Sequence, residues 1–550
     1  MLIVAPNSKS HDSSMNKSPT GWLILALLAL AGCGEPASVT SQAPVDASVF
    51  RRSNLGEPDT LDPHRNEETS GSTVVRDLFE GLMTEAVDAR IVPGVAESWT
   101  TSDDGTIYQF KLRDSARWSN GDPVTADDFV AGLRRTADPA TASTYAAIIY
   151  PIKNAEAVTT GRLEPSALGV RAIDAHTLEI ELEAPTTYFL QLLAHSTTYP
   201  LHRASFARHG EQFARPGNLI SNGAYRLSEW VVNSHIRLDK NEFYYGADDV
   251  AIETVYFYPI EDRESELRRY RAGELDFTEQ IPNSQFGWIK ANLGEELYVA
   301  PYLSVYFYGF DTTEPPFDDV RLRRALSMAV NRKIIAEQVA GVGEVPAYGL
   351  IPPGVADYSS QSYDWRALTD EERISEARRL YAAAGYSNTN PLRFELRYNT
   401  SENHRRIAVA VASMWKSALG AEVQIVNQEW KVMLQERRDP ANWDVLRYGW
   451  VGDYNDAFTF LEIFQSGHGQ NFTGFDSAGF DGLLARASNE RDVHARAELL
   501  AEAEQTLLDE YPIVPIYFYV SKHLVKPYIE GFQSNILDHN MTRHYRLARP

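Results

Sequence analysis

Alternating apolar and polar residues predict a β-strand followed by a helix early in the chain. Tyr108, Phe110 and Leu112 are separated by polar residues, which is the pattern of a strand with one buried face. A helix is predicted to begin at Thr125, because Asp128 three residues later completes a helix-start motif. The apolar residues that follow share one helical face. Strand and helix therefore alternate.

Three later segments predict a helix followed by a reversal. In each, apolar residues recur at helical spacing, and a glycine follows where the chain can turn back. The segments are an apolar pattern over 322–330 capped by Asp318 or Asp319 and continuing to Gly341, the residues Ile374, Ala377 and Tyr381 before Gly385, and the residues Ile407, Val411, Met414, Trp415 and Ala418 before Gly420. Short β-rich segments such as 423–426 follow the helices, which predicts an α/β fold. The absence of a repeat of fixed period argues against a solenoid or a propeller.

Length and composition indicate a folded protein of several domains. The chain has 550 residues, of which 43% are hydrophobic and 23% are charged, as in ordinary soluble proteins. This length predicts two or three cores. With 52 basic and 75 acidic residues, the formal charge is −23, which disfavours binding to nucleic acid or to anionic lipid headgroups.

The N-terminal segment has the properties of an export signal. Lys9 and Lys17 precede an apolar run over 22–30, which is too short to span a bilayer stably. The sequence Leu-Ala-Gly-Cys follows and ends at Cys33, the only cysteine of the chain. It resembles the lipobox of bacterial lipoproteins, in which this cysteine is acylated and becomes the first residue of the mature protein.

Residues 1–32 are therefore predicted to be a lipoprotein signal peptide, with lipidated Cys33 as the membrane anchor. The protein is expected in the periplasm or cell envelope. Residues 33–48 are rich in Ser, Pro, Ala and Thr and predict a flexible tether. Met1 and Met15 both remain open as the true start.

No enzyme motif of high specificity is present in the sequence. The chain has no His-Glu-x-x-His, no Gly-x-Ser-x-Gly, no Gly-rich phosphate loop and no clustered Cys/His pattern. Ser413 and Lys416 match the Ser-x-x-Lys spacing of penicillin-binding enzymes, but they lie in a predicted amphipathic helix and the companion motifs are absent. We therefore expect no catalytic site, no cofactor and no metal.

Three long motifs resemble the signature of the large peptide-binding proteins of bacterial ABC importers, the extracellular peptide- and nickel-binding solute-binding proteins of family 5. The motifs are Gly-Val-Ala-Glu-Ser-Trp at 94–99, Tyr-Gln-Phe-Lys-Leu-Arg at 108–113 and Trp-Ser-Asn-Gly-Asp-Pro-Val-Thr-Ala-Asp-Asp-Phe at 118–129. The resemblance extends from about 61 to 527. It is close to the oligopeptide-binding proteins in particular at 137–139, 222–225, 427–430 and 449–455.

The resemblance implies a periplasmic-binding-protein-like fold of type II. In this fold two hinged α/β lobes close on the ligand, and an extra third domain is attached to one of them. The implied division is domain I, a hinged lobe, over 49–79, 203–303 and 521–550; domain II, the extra domain, over 80–202; and domain III, the second hinged lobe, over 304–520.

The resemblance also implies a receptor that captures short oligopeptides in an extended conformation and delivers them to an ABC importer. The expected partners are short peptides, the membrane permease and its cytoplasmic ATPase subunits, and a monomer is expected. Family members also bind dipeptides, murein peptides, nickel chelates, opines or sugars, so these ligands remain alternatives. A periplasmic peptidase or transferase is the alternative from another class, and it would need an activated nucleophile or a metal.

Asp453 receives the clearest role from the resemblance, since the family's aspartate in this loop pairs with the α-ammonium of the ligand. A buried ammonium needs such a partner, because an unpaired charge is costly to remove from water. Arg437, Arg447 and His404 match positions that can meet a C-terminal carboxylate or acidic side chains. The remaining peptide-binding positions implied by the resemblance are Tyr145, Trp430, Gly449, Trp450, His195 and Glu67.

Two positions depart from the close relatives. Ala340 stands where they carry a lysine, and Glu279 stands where they carry a tyrosine of the cleft. Both changes make the end of the site that receives the ligand's carboxylate less positive. They predict an altered preference for ligand length or C-terminus, with basic side chains favoured.

Overall fold

The computed structural model describes residues 48–437 and 443–548, without the side chains of Trp430, Lys431 and Leu434. The predicted signal peptide, Cys33 and nearly all of the tether lie outside the described residues, so those interpretations stay predictions. None of the helices within the described ranges is both long enough and apolar enough to cross a membrane.

Strands and helices alternate along the described chain. The strands are β1 (Val49–Ser53), β2 (Met83–Glu85), β3 (Ile91–Pro93), β4 (Ala96–Thr101), β5 (Ile107–Leu112), β6 (Val170–Asp174), β7 (Thr177–Glu181), β8 (Tyr225–Val231), β9 (His235–Lys240), β10 (Thr254–Tyr258), β11 (Leu297–Phe310), β12 (Val345–Pro346), β13 (Arg393–Asn399), β14 (Glu422–Gln428), β15 (Val445–Val451), β16 (Ile513–Leu524), β17 (Ile529–Glu530) and β18 (Arg546–Leu547). The helices are α1 (Thr69–Leu78), α2 (Ala126–Ala137), α3 (Ala155–Thr159), α4 (Phe189–Leu192), α5 (Arg203–His209), α6 (Arg263–Arg271), α7 (Phe286–Asn292), α8 (Val320–Ala329), α9 (Arg332–Ile334), α10 (Asp370–Ala383), α11 (Glu402–Leu419), α12 (Trp430–Glu436), α13 (Phe458–Leu461), α14 (Ala478–Asn489) and α15 (Val493–Glu510).

Three larger sheets organise these elements. The first sheet has the order β1-β10-β9-β8, with β1 parallel to β10 and the other pairs antiparallel. The small sheet, β4-β5-β7-β6, is antiparallel throughout. The large sheet has the order β12-β16-β11-β15-β13-β14, and β13 runs parallel to both of its neighbours. The described chain is therefore a mixed α/β structure.

The elements at the small sheet form as the sequence predicts. β5 buries Phe110 and Leu112 and leaves Lys111 exposed, so its alternating pattern places one face in the core. At the start of α2, Asp128 accepts hydrogen bonds from the Thr125 backbone N–H at 2.9 Å and from its hydroxyl at 3.0 Å. Such capping stabilises a helix by about 1 kcal/mol. The predicted strand and the predicted helix start are confirmed.

The single helix predicted to continue to Gly341 is wrong, because the chain forms three pieces. α8 stops first, Asn331 then caps α9, and a π-helical turn follows up to Gly341. Arg332 provides the physical reason. Its buried guanidinium donates hydrogen bonds to the carbonyls of Ser327 at 3.0 Å and Val330 at 3.3 Å, at the end of α8.

Two long strands extend from the large sheet toward the first sheet. β11 and β16 pair antiparallel along most of their length, with two register shifts. Beyond β16, Val525 bridges to Phe277, and Phe277 bridges to Arg52 of β1. The two strands therefore connect the large sheet with the first sheet. The predicted domain boundaries at 303/304 and 520/521 fall within these strands and stay a prediction.

A stack of aromatic rings joins the region of the small sheet to the loop after β15. The ring of Tyr188, just before α4, stacks on Tyr454 with centroids 5.1 Å apart and planes 6° apart. Arg496 of α15 lies 5.1 Å from the Tyr188 ring centroid and pairs with Asp456 at 2.7 Å. Because Tyr454 directly follows Asp453, these contacts hold the loop that carries the predicted ammonium partner.

Candidate functional site

A cavity of about 630 Å³ is enclosed by separate parts of the chain. Its walls come from the segment leading into α1, the loop after β15, the second half of β16 and the C-terminal segment 537–541. This volume lies in the range of small-ligand sites, which are concave and hold a few well-placed polar groups. The cavity is therefore the candidate site.

Seven of the ten residues predicted to bind peptide line this one cavity. They are separated by as many as 386 positions in the sequence, between 67 and 453, and only the fold brings them together. The seven residues are Glu67, Tyr145, His195, His404, Arg447, Trp450 and Asp453. Their role in binding stays a prediction, because their position alone identifies no ligand.

Two predicted residues, Arg437 and Gly449, are not part of the lining, and a third has a side chain that the structure does not describe. Arg437 donates a hydrogen bond to Gln470 Oε1 at 3.1 Å, and its guanidinium lies 5.0 Å from the centroid of the Tyr448 ring. Gly449 lies within β15, opposite Tyr306 of β11. Trp430 begins α12, and its side chain lies outside what the structure describes.

Asp453 carries a carboxylate with no partner among the described residues. Its backbone N–H donates a hydrogen bond to Thr459 Oγ1 at 3.3 Å, and the residue lines the cavity. Burial raises the pKa of Asp453 to about 7. Burial also raises the pKa of the neighbouring Glu462 to about 8, and the charge of Asp453 adds to this effect. A cationic group in the cavity would restore the ionised form of Asp453.

Arg447 is held in a fixed orientation without a carboxylate. Its guanidinium donates hydrogen bonds to Asn399 Oδ1 at 3.2 Å and to Tyr519 Oη at 2.7 Å, and it lies 4.6 Å from the Tyr306 ring centroid. Gly449 leaves room for this arrangement, because a Cβ there would lie 3.3 Å from Arg447 Nη2. The positive charge of Arg447 is therefore available to a ligand.

Two cavity histidines are neutral at physiological pH. Burial lowers the pKa of His404 to about 3, with Arg447 and Arg263 acting in the same direction. Burial likewise lowers the pKa of His195 to about 3, and Arg76 contributes. Both rings therefore offer hydrogen bonds rather than charge to a ligand.

A hydrogen-bonded chain at the cavity wall was not predicted from the sequence. Arg76 Nη2 donates to His539 Nε2 at 2.7 Å, and the opposite ring nitrogen, Nδ1, donates to Glu85 Oε2 at 2.7 Å. The three residues lie on α1, on β2 and near the C-terminus. No local pattern links them, so sequence periodicity carries no signal for this chain.

The structure limits the effect that Glu279 and Ala340 were expected to have on the charge of the cavity. Glu279 lines the cavity, but it forms an ion pair with the buried Arg52, whose Nε donates to it at 3.2 Å. The charge of Glu279 is therefore largely balanced within the protein. Ala340 is buried in the π-helical turn and is not part of the cavity lining.

Neither metal ligation nor the Ser-x-x-Lys motif has structural support in the described ranges. Among residues 48–437 and 443–548, no group of three or more His, Cys, Asp or Glu side chains could hold a metal ion. Ser413 is exposed on α11, where the neighbouring Trp415 is fully buried. Ser413 is also not among the residues that line the cavity.

Comparison with known proteins gives consistent matches over most of the chain. The periplasmic oligopeptide-binding protein OppA of Escherichia coli K12 is 39% identical over 94% of this chain and 94% of its own length. The periplasmic murein peptide-binding protein MppA of the same strain is 40% identical over 93% of this chain and 95% of its own length.

Solved structures agree with these matches. The crystal structure of Haemophilus influenzae OppA in complex with RPPGFSPFR has a TM-score of 0.80 and 36% identity, covering 92% of this chain and 100% of that chain. The predicted α/β fold, with two lobes and an extra domain, is confirmed by this likeness. Residues 90–472 match the model of the bacterial extracellular solute-binding proteins, family 5 middle region. The chain belongs to the bacterial extracellular solute-binding proteins of family 5.

Proposed function

We propose that this protein captures short peptides in an extended conformation outside the cytoplasmic membrane and delivers them to the permease of an ABC importer. The observation that carries the proposal is the unpaired carboxylate of Asp453 in the same cavity as Arg447, which has no carboxylate partner. These two charges complement the two ends of a peptide. The relatives named for oligopeptides and murein peptides support the same ligand class.

The separation of the two charged groups suits an extended peptide. Arg447 lies within β15 and Asp453 follows that strand six positions later, so their Cα atoms are separated by at most about 20 Å. An extended peptide that spans this Cα separation has about six residues or fewer. Its main chain would pair with strand-like segments, as in β-strand addition, and thereby bind with little dependence on sequence.

The proposal assigns no chemical step to the cavity. Asp453 and Arg447 act by pairing with charges, and the neutral histidines act by hydrogen bonding. Trp450, Tyr145 and Glu67 would line the spaces for ligand side chains, where water adjusts to different shapes. The protein acts as a receptor that binds and releases its cargo unchanged.

Attachment to the membrane through lipidated Cys33 forms part of the proposal. The tether over 33–48 would allow the folded body to reach the permease while the lipid keeps it near the membrane. The relatives named as periplasmic support a location outside the cytoplasm.

Mass spectrometry of protein purified without denaturation tests the proposed function. Compounds released on unfolding are expected to form a ladder of di- to pentapeptides of mixed sequence. A single non-peptide compound, such as a metal chelate or a sugar, would displace the proposal. Cleavage of a labelled peptide by the purified protein would revive the alternative of a peptidase.

A further inference from the structure

Arg263 is a basic residue of the cavity that matches none of the positions predicted from the sequence. Arg263 is the first residue of α6 and lines the cavity together with Arg447 and Lys522. Within residues 48–437 and 443–548, no hydrogen bond or ion pair engages its guanidinium. The side chain is exposed, yet enough protein surrounds the mouth of the cavity for desolvation to lower its pKa.

Basic groups converge at this end of the cavity. Burial lowers the pKa of Lys522, Glu344 opposes this shift, and the charge of Arg263 adds to the lowering. Lys522 is satisfied by Glu344, whose Oε1 lies 3.2 Å from its Nζ. The charge of Arg263 also reaches His404, as does that of Arg447. Two guanidiniums, those of Arg263 and Arg447, therefore line the cavity without an ion pair to a carboxylate of the described residues, although the nearby charge of Glu266 acts to raise the pKa of Arg263.

The two guanidiniums come from different sheets. Arg263 follows β10 of the first sheet, whereas Arg447 lies on β15 of the large sheet. With no anion between them, like charges repel and oppose the approach of the two sheets. A ligand carboxylate placed between them would replace this repulsion with two charge-assisted hydrogen-bonding partners.

We propose that Arg263 is a specificity-determining residue that binds the C-terminal carboxylate of the captured peptide together with Arg447. This inference rests on the proposed function. It identifies the C-terminal carboxylate as the ligand group that is bound at the end of the cavity away from Asp453. A carboxylate from an acidic side chain has the same chemistry, so the test separates the two sources.

Calorimetry with alanine peptides of three to five residues tests this assignment, with each peptide as the free acid and as the C-terminal amide. Arg263→Gln is expected to weaken binding of the free acid about tenfold, equivalent to about 1.4 kcal/mol. This loss is expected for the peptide length whose C-terminal carboxylate reaches Arg263. Binding of the amide should not change. Arg263→Lys should retain most of the preference for the free acid, because it keeps the charge.

Arg268→Gln is the matched control. It removes the same charge from the same helix, but Arg268 is exposed, bonds to Ser265 Oγ and does not line the cavity. It should leave both peptide forms unaffected. Thermal unfolding of each variant checks that the protein remains folded.

Four outcomes overturn the assignment. If Arg263→Gln weakens binding of the free acid and the amide equally, or weakens binding at no peptide length, the role of Arg263 is refuted. The proposed function still stands in both cases if the wild type binds the peptides. If Ala-Ala-Glu amide depends on Arg263 and the free acid of tri-alanine does not, the side-chain carboxylate is the ligand instead. If the wild type binds no peptide at all, the proposed function fails and this inference fails with it.

Discussion

Replacing Asp453 with asparagine removes the carboxylate that we propose binds the free amino end of a peptide, while preserving the shape of the side chain. Removing one partner of a desolvated charge pair costs at least about 2 kcal/mol, or about thirtyfold in affinity. Asp453→Asn should therefore weaken binding of unblocked tri-alanine by this factor or more. N-acetyl tri-alanine has no ammonium group, so its weaker binding should change little.

The same substitution should stabilise the ligand-free protein. Burial raises the pKa of Asp453 from 3.8 to about 7 in the folded state, so folding disfavours the charged form. A shift of this size corresponds to at most about 4 kcal/mol, and water in the cavity screens part of it, which leaves about 1–4 kcal/mol. The cost is small near pH 4, grows between pH 4 and 7, and is complete above pH 7. The asparagine variant avoids this cost.

Thermal unfolding of peptide-free wild type and variant at pH 4 and pH 8 measures the stability difference. The variant should unfold at a higher temperature at pH 8, and the two midpoints should approach each other at pH 4. Isothermal titration with the acetylated and unblocked peptides at pH 8 measures the loss of affinity on the same samples. The wild type is the reference in both experiments.

The reasoning on Asp453 would be refuted by two results. If the variant keeps the wild-type preference for the unblocked peptide, the ammonium is bound elsewhere. If the variant is less stable than the wild type at pH 8, the carboxylate forms favourable contacts in the folded state that outweigh its desolvation.

Three further changes have expected outcomes. Lowering the pH from 7 to 5 should weaken binding of tri-alanine by up to about tenfold per pH unit, because Asp453 must lose its proton before it pairs with the ammonium group. Calorimetry should show that the affinity for the acetylated peptide does not change over this pH range. Gly449→Ala places a Cβ 3.0 Å from the Val305 carbonyl oxygen and 3.3 Å from Arg447 Nη2. It should reduce affinity for free-acid peptides more than for amides, and equal affinities would contradict the role given to Arg447. Cys33→Ala should remove the lipid mass from the protein, as measured by intact-protein mass spectrometry, whereas a wild-type protein that carries no lipid mass would contradict lipid anchoring.

The local elements could be predicted because each depends on residues that are close in sequence. The capping of α2 by Thr125 and Asp128, and the one-sided burial of β5, follow directly from spacing. The break after α8 could not be predicted in this way. It depends on the guanidinium of Arg332, which also reaches the carbonyl of Pro515 on β16 at 2.7 Å, and no helical periodicity encodes that contact.

The candidate site could be predicted only in part. The resemblance to a family identified seven of the lining residues, including Asp453 and Arg447. Nothing in their local sequence distinguishes them from ordinary turn or surface residues. Arg263 carried no such signal, because it reads as the first residue of a charged helix. Its significance arises from the meeting of the first and the large sheet at the cavity.

The paired strands β11 and β16 restrict how the loaded protein can differ from the empty one. Two neighbouring polypeptide segments resist shear and independent twisting, so the remaining easy movement is a bend about one axis. We expect loading to change the angle between two rigid surfaces, as in a hinge closure. A permease that contacts both surfaces can recognise this angle on the outside of the receptor, and it needs no contact with the enclosed cargo to distinguish full from empty. Such recognition suits a transport system whose cargo varies in sequence.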